Sequence, residues 1–243
     1  MDFSVNPILI KKVDGIRKVL SWALLPAHCL LCDQPGMGGI DLCEACWREL
    51  PKNLMACPRC ALPLAAHAPA CGFCLKSEPP FTNTVAPMQY LAPLSTLVPR
   101  FKFHQDLAAG RLLAELFCRN TCDIDRPDVL VPVPLHSTRL RKRGFDQALE
   151  LAKMIAKQKA LPLRSDLLIR TRNTAAQSYL DAGQRRKNCR DAFKVVDKVL
   201  PNHIALIDDV MTTGTTVQEC TKALLKAGAK RVDIWVIARV ATP

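Results

Sequence analysis

The chain has 243 residues, 49% of them apolar, enough for the core of one large domain or two modest ones. Its 34 Lys and Arg against 22 Asp and Glu leave a net charge of +12, which favours polyanionic partners: nucleic acid, phosphorylated small molecules or an anionic surface. Aromatic residues make up only 5%, which argues against a broad base-stacking platform.

The first segment, MDFSVNPILIKKVDGIRKVLSWALLP, is interrupted by Lys11, Lys12, Asp14, Arg17 and Lys18. It falls short of the roughly 20 apolar residues that span a bilayer, so it reads as an amphipathic helix from Pro7 to Leu25 rather than a signal or stable membrane span. With no secretion signal and thiols arranged as metal ligands, the expected compartment is the reducing cytoplasm.

Eight of the twelve cysteines form four Cys-x-x-Cys pairs: Cys29/Cys32, Cys43/Cys46, Cys57/Cys60 and Cys71/Cys74. Each pair on a tight turn aims two thiolates at one point, and two such turns complete a tetrahedron for Zn²⁺. Eight sulfurs therefore predict two structural Cys₄ sites in a double zinc ribbon over 27–77. Sequential and interleaved pairing both remain open, and iron is an alternative metal. Four evenly spaced pairs suit metal better than thiol exchange, and His28 and His67 read as bystanders. Cys118, Cys122, Cys189 and Cys220 fall outside this pattern and read as isolated thiols.

A proline-rich joint, SEPPFTNTVAPMQY, marks a boundary near Ser77. Beyond it, a strand is expected over 84–90, and apolar residues recur at helical spacing from Leu94 to Phe117. DVLVPVPL reads as a buried strand, HSTRLRKRGFDQ as a basic loop and ALELAKMIAKQKA as a helix. LPLRSDLLIR supplies another strand, TRNTAAQSYLDAGQRRKN a second basic loop, and residues 192–196 a further strand. The apolar run Ile204–Ile207 leads into Asp208 and Asp209, a hydroxyl-rich turn around Gly214, the helical TTVQECTKALLKAG and a last strand, VDIWVIARV. Alternating strands and helices predict a mostly parallel sheet, whose ligands bind outside the carboxyl ends of its strands.

That edge gathers the 135–147 loop, the 170–190 loop and residues 208–216. Carboxylates at a strand end accept hydrogen bonds from vicinal hydroxyls or hold a divalent cation. Backbone N–H groups of Thr212 to Thr216 at a helix start suit a phosphate, and Gly214 permits the tight turn. The pattern predicts a phosphorylated-sugar site flanked by cations.

LIDDVMTTGTT resembles the phosphoribosyl-pyrophosphate (PRPP) motif of type I phosphoribosyltransferases. The order of four Cys-x-x-Cys pairs, RFKF (100–103), VPVPL (131–135), RGFDQA (143–148), RTRNTAAQ (170–177) and this motif resembles the ComF/GntX family of competence-associated proteins. The resemblance implies a phosphoribosyltransferase-type α/β fold over 78–243, with the zinc module in the place of the variable hood. It implies that Asp208 and Asp209 hold the ribose hydroxyls and stabilise a cationic transition state, and that Thr212, Thr213, Gly214, Thr215 and Thr216 hold the 5′-phosphate. Arg139 and Arg143 would face the pyrophosphate with Mg²⁺, beneath a cover formed by residues 170–187.

The function so implied is a cytoplasmic PRPP-binding protein that handles incoming single-stranded DNA, with a helicase or another DNA-uptake protein as a further partner. Arg139, Arg141, Lys142, Arg143, Arg185, Arg186 and Lys187 are the candidate nucleic-acid contacts. The alternatives are an active phosphoribosyltransferase with an unidentified acceptor and a PRPP-sensing adaptor.

Overall fold

The computed structural model describes residues 27–172, 191–197 and 199–241. The expected helix over 7–25 and most of the second basic loop, with Arg185, Arg186, Lys187 and Cys189, lie outside the described residues. Packing divides the chain after Glu49 into two compact units.

In the first unit, the Cys43 sulfur accepts from the Cys46 backbone N–H at 3.4 Å and caps a short helix, α1 (Glu44–Arg48). Ile40 and Leu42 are buried beneath the cysteine turns. The described part of this unit has little apolar surface to enclose, so a metal held by its four cysteines would contribute much of its folding energy.

The second unit opens with the other two cysteine pairs and α2 (Gly72–Lys76), then β1 (Asn83–Val85) and β2 (Met88–Gln89). Two helices follow, α3 (Leu94–His104) and α4 (Leu107–Arg119), over the stretch where apolar residues recur at helical spacing. The chain breaks at Gln105, which adopts the left-handed conformation at φ 55°, and Asp106 caps α4 by accepting from the Ala109 N–H at 3.0 Å. The apolar spacing spans the break because both helices bury one face. A Cβ on Gly110 would lie 2.4 Å from the Phe101 ring, so any larger residue forces that ring to move.

Next come β3 (Val129–Pro132), α5 (Ser137–Arg143), α6 (Gln147–Lys159), β4 (Leu168–Arg170) and β5 (Phe193–Val195). The basic stretch predicted as a loop contains α5. His136 caps its start by accepting from the Thr138 N–H, and Gly144, at φ 67°, ends it. The chain finishes with β6 (His203–Met211), α7 (Thr215–Lys226) and β7 (Arg231–Arg239).

The main sheet has the order β1–β7–β6–β3, with β2 also on β7, and every pairing in it is parallel. β6 and β7 read as near-continuous apolar runs because helices cover both faces. β4 and β5 form a separate antiparallel ladder. The expected α/β class is the one observed. Cys57, Cys60, Ala61, Leu62 and Cys71 share a continuous apolar core with Phe81, Val131, Leu206 and Val236, so the second cysteine module is packed into the sheet unit. Among the described residues, no helix is long and apolar enough to cross a membrane.

Candidate ligand site and metal centres

Asp208 and Asp209 lie in the carboxyl-terminal half of β6, whose ladder with β7 runs on to Met211. Both side chains line the same cavity, and their carboxyl groups interact. Asp209 is 2% exposed and receives Lys102 Nζ of α3 at 2.7 Å, while Asp208 Oδ1 accepts from the Asp209 N–H at 2.9 Å. Burial and the neighbouring Asp209 charge push the Asp208 carboxyl well above the usual carboxylate range. For Asp209, burial acts in the same direction, but the Lys102 charge and hydrogen bond outweigh it and hold the group below that range. The pair is thus split into one group that resists ionisation and one that is ionised and cation-bound. RFKF marks Lys102 in the sequence, but its partnership with Asp209 spans 107 residues and no local pattern reveals it.

A cavity of about 390 Å³ opens at this edge. Its wall brings together Asp208, Asp209, Thr212 and Thr216 with Arg139, Arg143, Lys102 and Arg170. Gly214, at φ 75°, starts α7, and the Thr213 and Thr215 hydroxyls hydrogen-bond to each other at 3.0 Å. These three residues shape the turn, whereas Thr212 and Thr216 line the space. Arg141 is exposed on α5.

The two central motifs interlock beside this cavity. Phe101 packs edge-on against Phe145 at 5.1 Å, and the Arg143 guanidinium sits 5.4 Å from the centre of the Phe103 ring. Arg143 also donates to Gln147 Oε1 at 2.6 Å, and the Gln105 amide donates to the Arg143 carbonyl at 2.9 Å. Tyr90, Val98, Pro99 and Phe103 give the cavity an apolar, partly aromatic side. The candidate residues drawn from sequence patterns include neither Tyr90 nor Phe103.

The eight pattern cysteines form two clusters with sequential pairing: Cys29, Cys32, Cys43 and Cys46 in the first, Cys57, Cys60, Cys71 and Cys74 in the second. Within each, the sulfurs lie within 4.8 Å of one another. Cys32 sits 3.5 Å from Cys43 and 3.5 Å from Cys46, and Cys60 sits 3.5 Å from Cys71. A tetrahedron with metal–sulfur bonds of about 2.3 Å has edges of about 3.8 Å, so both donor sets fit a zinc ion. Burial raises the Cys29 and Cys57 thiols, but backbone N–H groups outweigh it and draw them down to about 6 and about 7. The first cysteine of each cluster therefore loses its proton before its neighbours, since burial and the adjacent thiols push Cys46, Cys60 and Cys74 up. Neither His28 nor His67 joins a cluster.

These features define an α/β protein with a cation-rimmed polar cleft at the carboxyl edge of its sheet and two Cys₄ metal sites of the zinc-ribbon type. A family profile described as "Double zinc ribbon domain" matches residues 20–75. The DNA utilization protein YhgH of Salmonella typhimurium is 36% identical over 222 residues, covering 88% of this chain and 98% of that protein. Competence protein F of Haemophilus influenzae is 33% identical, covering 82% and 90%. Competence protein ComFC of Bacillus subtilis is 27% identical, covering 93% and 97%. The chain belongs to this ComF/YhgH family of competence and DNA-utilization proteins.

Among solved structures the likeness is partial. The Leishmania donovani UMP synthase matches with a TM-score of 0.36 and 20% identity over 58% of this chain and 24% of that one. Orotate phosphoribosyltransferase from Aeropyrum pernix matches with a TM-score of 0.34 and 16% identity over 57% and 66%. The chain thus spans about a quarter of the length of the first.

Proposed function

We propose that the cleft binds PRPP with Mg²⁺ and that the protein handles incoming single-stranded DNA during DNA uptake. The observation that carries the first part is the single cavity wall uniting Asp208 and Asp209 with Thr212, Thr216, Arg139 and Arg143. Each end of the ligand meets its complement. The ribose hydroxyls donate to the carboxylates, the 5′-phosphate accepts from the Thr212–Thr216 turn and the α7 N-terminus, and the arginines meet the pyrophosphate. Mg²⁺, when bound, would neutralise pyrophosphate oxygens beside Asp208 and Asp209. Lys102 holds Asp209 charged, so ligand hydroxyls or a cation must share or replace that ammonium.

DNA handling is supported by the names of the related DNA-utilization and competence proteins, the net charge of +12 and the Phe103–Arg143 pair at the cleft. A ring 63% exposed and backed by a guanidinium offers a stacking face to an unpaired base. Titration calorimetry with PRPP and Mg²⁺ tests the reading: saturable binding is expected in the wild type and loss in D208N/D209N. Heat from wild type and double variant that could not be told apart would overturn it.

The apolar side formed by Tyr90, Val98, Pro99 and Phe103 is surplus to a sugar phosphate and supports a second reading, pentosyl transfer to a planar acceptor. Pyrophosphate release across a nucleobase and amine panel, abolished by D208N/D209N, would establish it. Silence across the panel would leave PRPP as a bound regulator.

A further inference from the structure

β7 ends in Arg239, a cation only 4% exposed. Its Nε donates to the Cys60 carbonyl at 3.0 Å. Its Nη1 donates to the carbonyls of Met211 at 3.1 Å, Val240 at 2.8 Å and Thr212. One planar guanidinium thus ties a ligand-bearing turn of the second cysteine cluster to the residues that open the hydroxyl-rich turn. Thr212 is itself part of the cavity wall. Among the described residues Arg239 meets no carboxylate, and the ionisable groups that favour its charge against burial are the thiols of Cys60, Cys71 and Cys74. A buried cation is tolerated where charge and hydrogen bonds compensate it. Four thiolates around a dication carry a net charge of minus two, which supplies that compensation.

We propose that Arg239 is a positioning residue that couples metal occupancy of the Cys57/Cys60/Cys71/Cys74 cluster to the geometry of the phosphate-binding turn. With metal in place, the Cys60 carbonyl anchors the guanidinium, which holds the Met211 and Thr212 carbonyls and so sets where the Thr212 side chain and the following N–H groups point. With the cluster empty, the anchor turn loosens and affinity for ribose phosphate falls. The proposal rests on the reading of residues 212–216 as a phosphate site. It adds to that reading a role for one metal centre beyond folding its own segment.

The full chain tests it through zinc release to a chelating dye and PRPP binding by calorimetry. A lysine keeps the charge but cannot span several carbonyls with a rigid fork. R239K is therefore expected to weaken PRPP binding about tenfold, within the usual range of coupled sites, and to speed release of one of the two zinc equivalents. R231Q provides the control at the opposite end of β7. It removes an arginine paired with Asp125 and Asp233, and should lower the melting temperature while leaving both readouts unchanged. In the unmutated chain, reciprocity requires PRPP to slow release of one zinc equivalent. Equal release rates with and without PRPP, or wild-type PRPP affinity in folded R239K, would overturn the proposal. A wild-type chain that bound no PRPP would instead overturn the reading of the turn on which it rests.

Discussion

Lys102 and Asp209 are 107 residues apart in sequence and 2.7 Å apart in the fold. Replacing Lys102 with Met leaves a carboxylate 2% exposed beside a second acid. The expected cost, read from urea unfolding at pH 7, is about 2–3 kcal/mol. That lies below the roughly 3–5 kcal/mol of a fully enclosed pair, because 29% of the Lys102 side chain meets water. Asp208 behaves in the opposite sense. Its raised value means that the folded state resists ionisation, so its charge destabilises the protein as pH rises above the ordinary carboxylate range. D208N should therefore raise the melting temperature at pH 7, by about 2–4 °C for each kcal/mol recovered, and the gain should vanish near pH 4. The same substitution should weaken PRPP binding. A melting temperature unchanged or lowered at pH 7 would contradict the electrostatic reading.

At the scale of elements, the α3–α4 break positions the site. The left-handed Gln105 and the Asp106 cap turn the chain, and the Gln105 amide then reaches the Arg143 carbonyl. The tight α3–α4 contact leaves no room at Gly110. G110A should cost about 1–3 kcal/mol in chemical unfolding, despite the higher helix propensity of alanine, because the Phe101 ring must move. That movement would disturb the Phe101–Phe145 contact and, with it, the neighbouring Phe103–Arg143 pair. F103A removes an exposed ring and should leave the melting temperature within a few degrees. It should lower single-stranded DNA affinity by about 1–3 kcal/mol in fluorescence anisotropy, the usual worth of one stacked base.

For the whole molecule, charge and metal dominate. A net charge of +12 should make DNA binding salt-dependent, with the logarithm of affinity falling linearly as the logarithm of salt rises, at a slope of about −0.7 per neutralised phosphate on a single strand. A flat salt profile would remove phosphate contacts from the account. Stripping both clusters with a strong chelator should unfold the first unit, whose small apolar interior cannot sustain it. The parallel sheet should survive, because β6 and β7 bury a continuous apolar core of their own. Circular dichroism during chelation separates the two events.

Much of this architecture is legible in the linear chain, because it depends on local spacing. Cys-x-x-Cys turns, apolar strand runs, and two acids ahead of a glycine-containing hydroxyl turn each report chemistry that a few consecutive residues carry. Two short signals misled or fell silent for the same reason. HSTRLRKR lacks an apolar stripe yet forms α5 once His136 and Gly144 cap it, and nothing in 94–117 announces the turn at Gln105. By itself, then, the sequence determined the fold class, the eight clustered cysteines and the acid–hydroxyl motif. Only the tertiary structure decided that the cysteines pair sequentially, that Lys102 holds Asp209, and that Arg239 joins the second cluster to the hydroxyl-rich turn. Those choices depend on contacts between segments roughly a hundred residues or more apart, or on which turns face one another, and such distances are set by how the sheet closes rather than by any local pattern of residues.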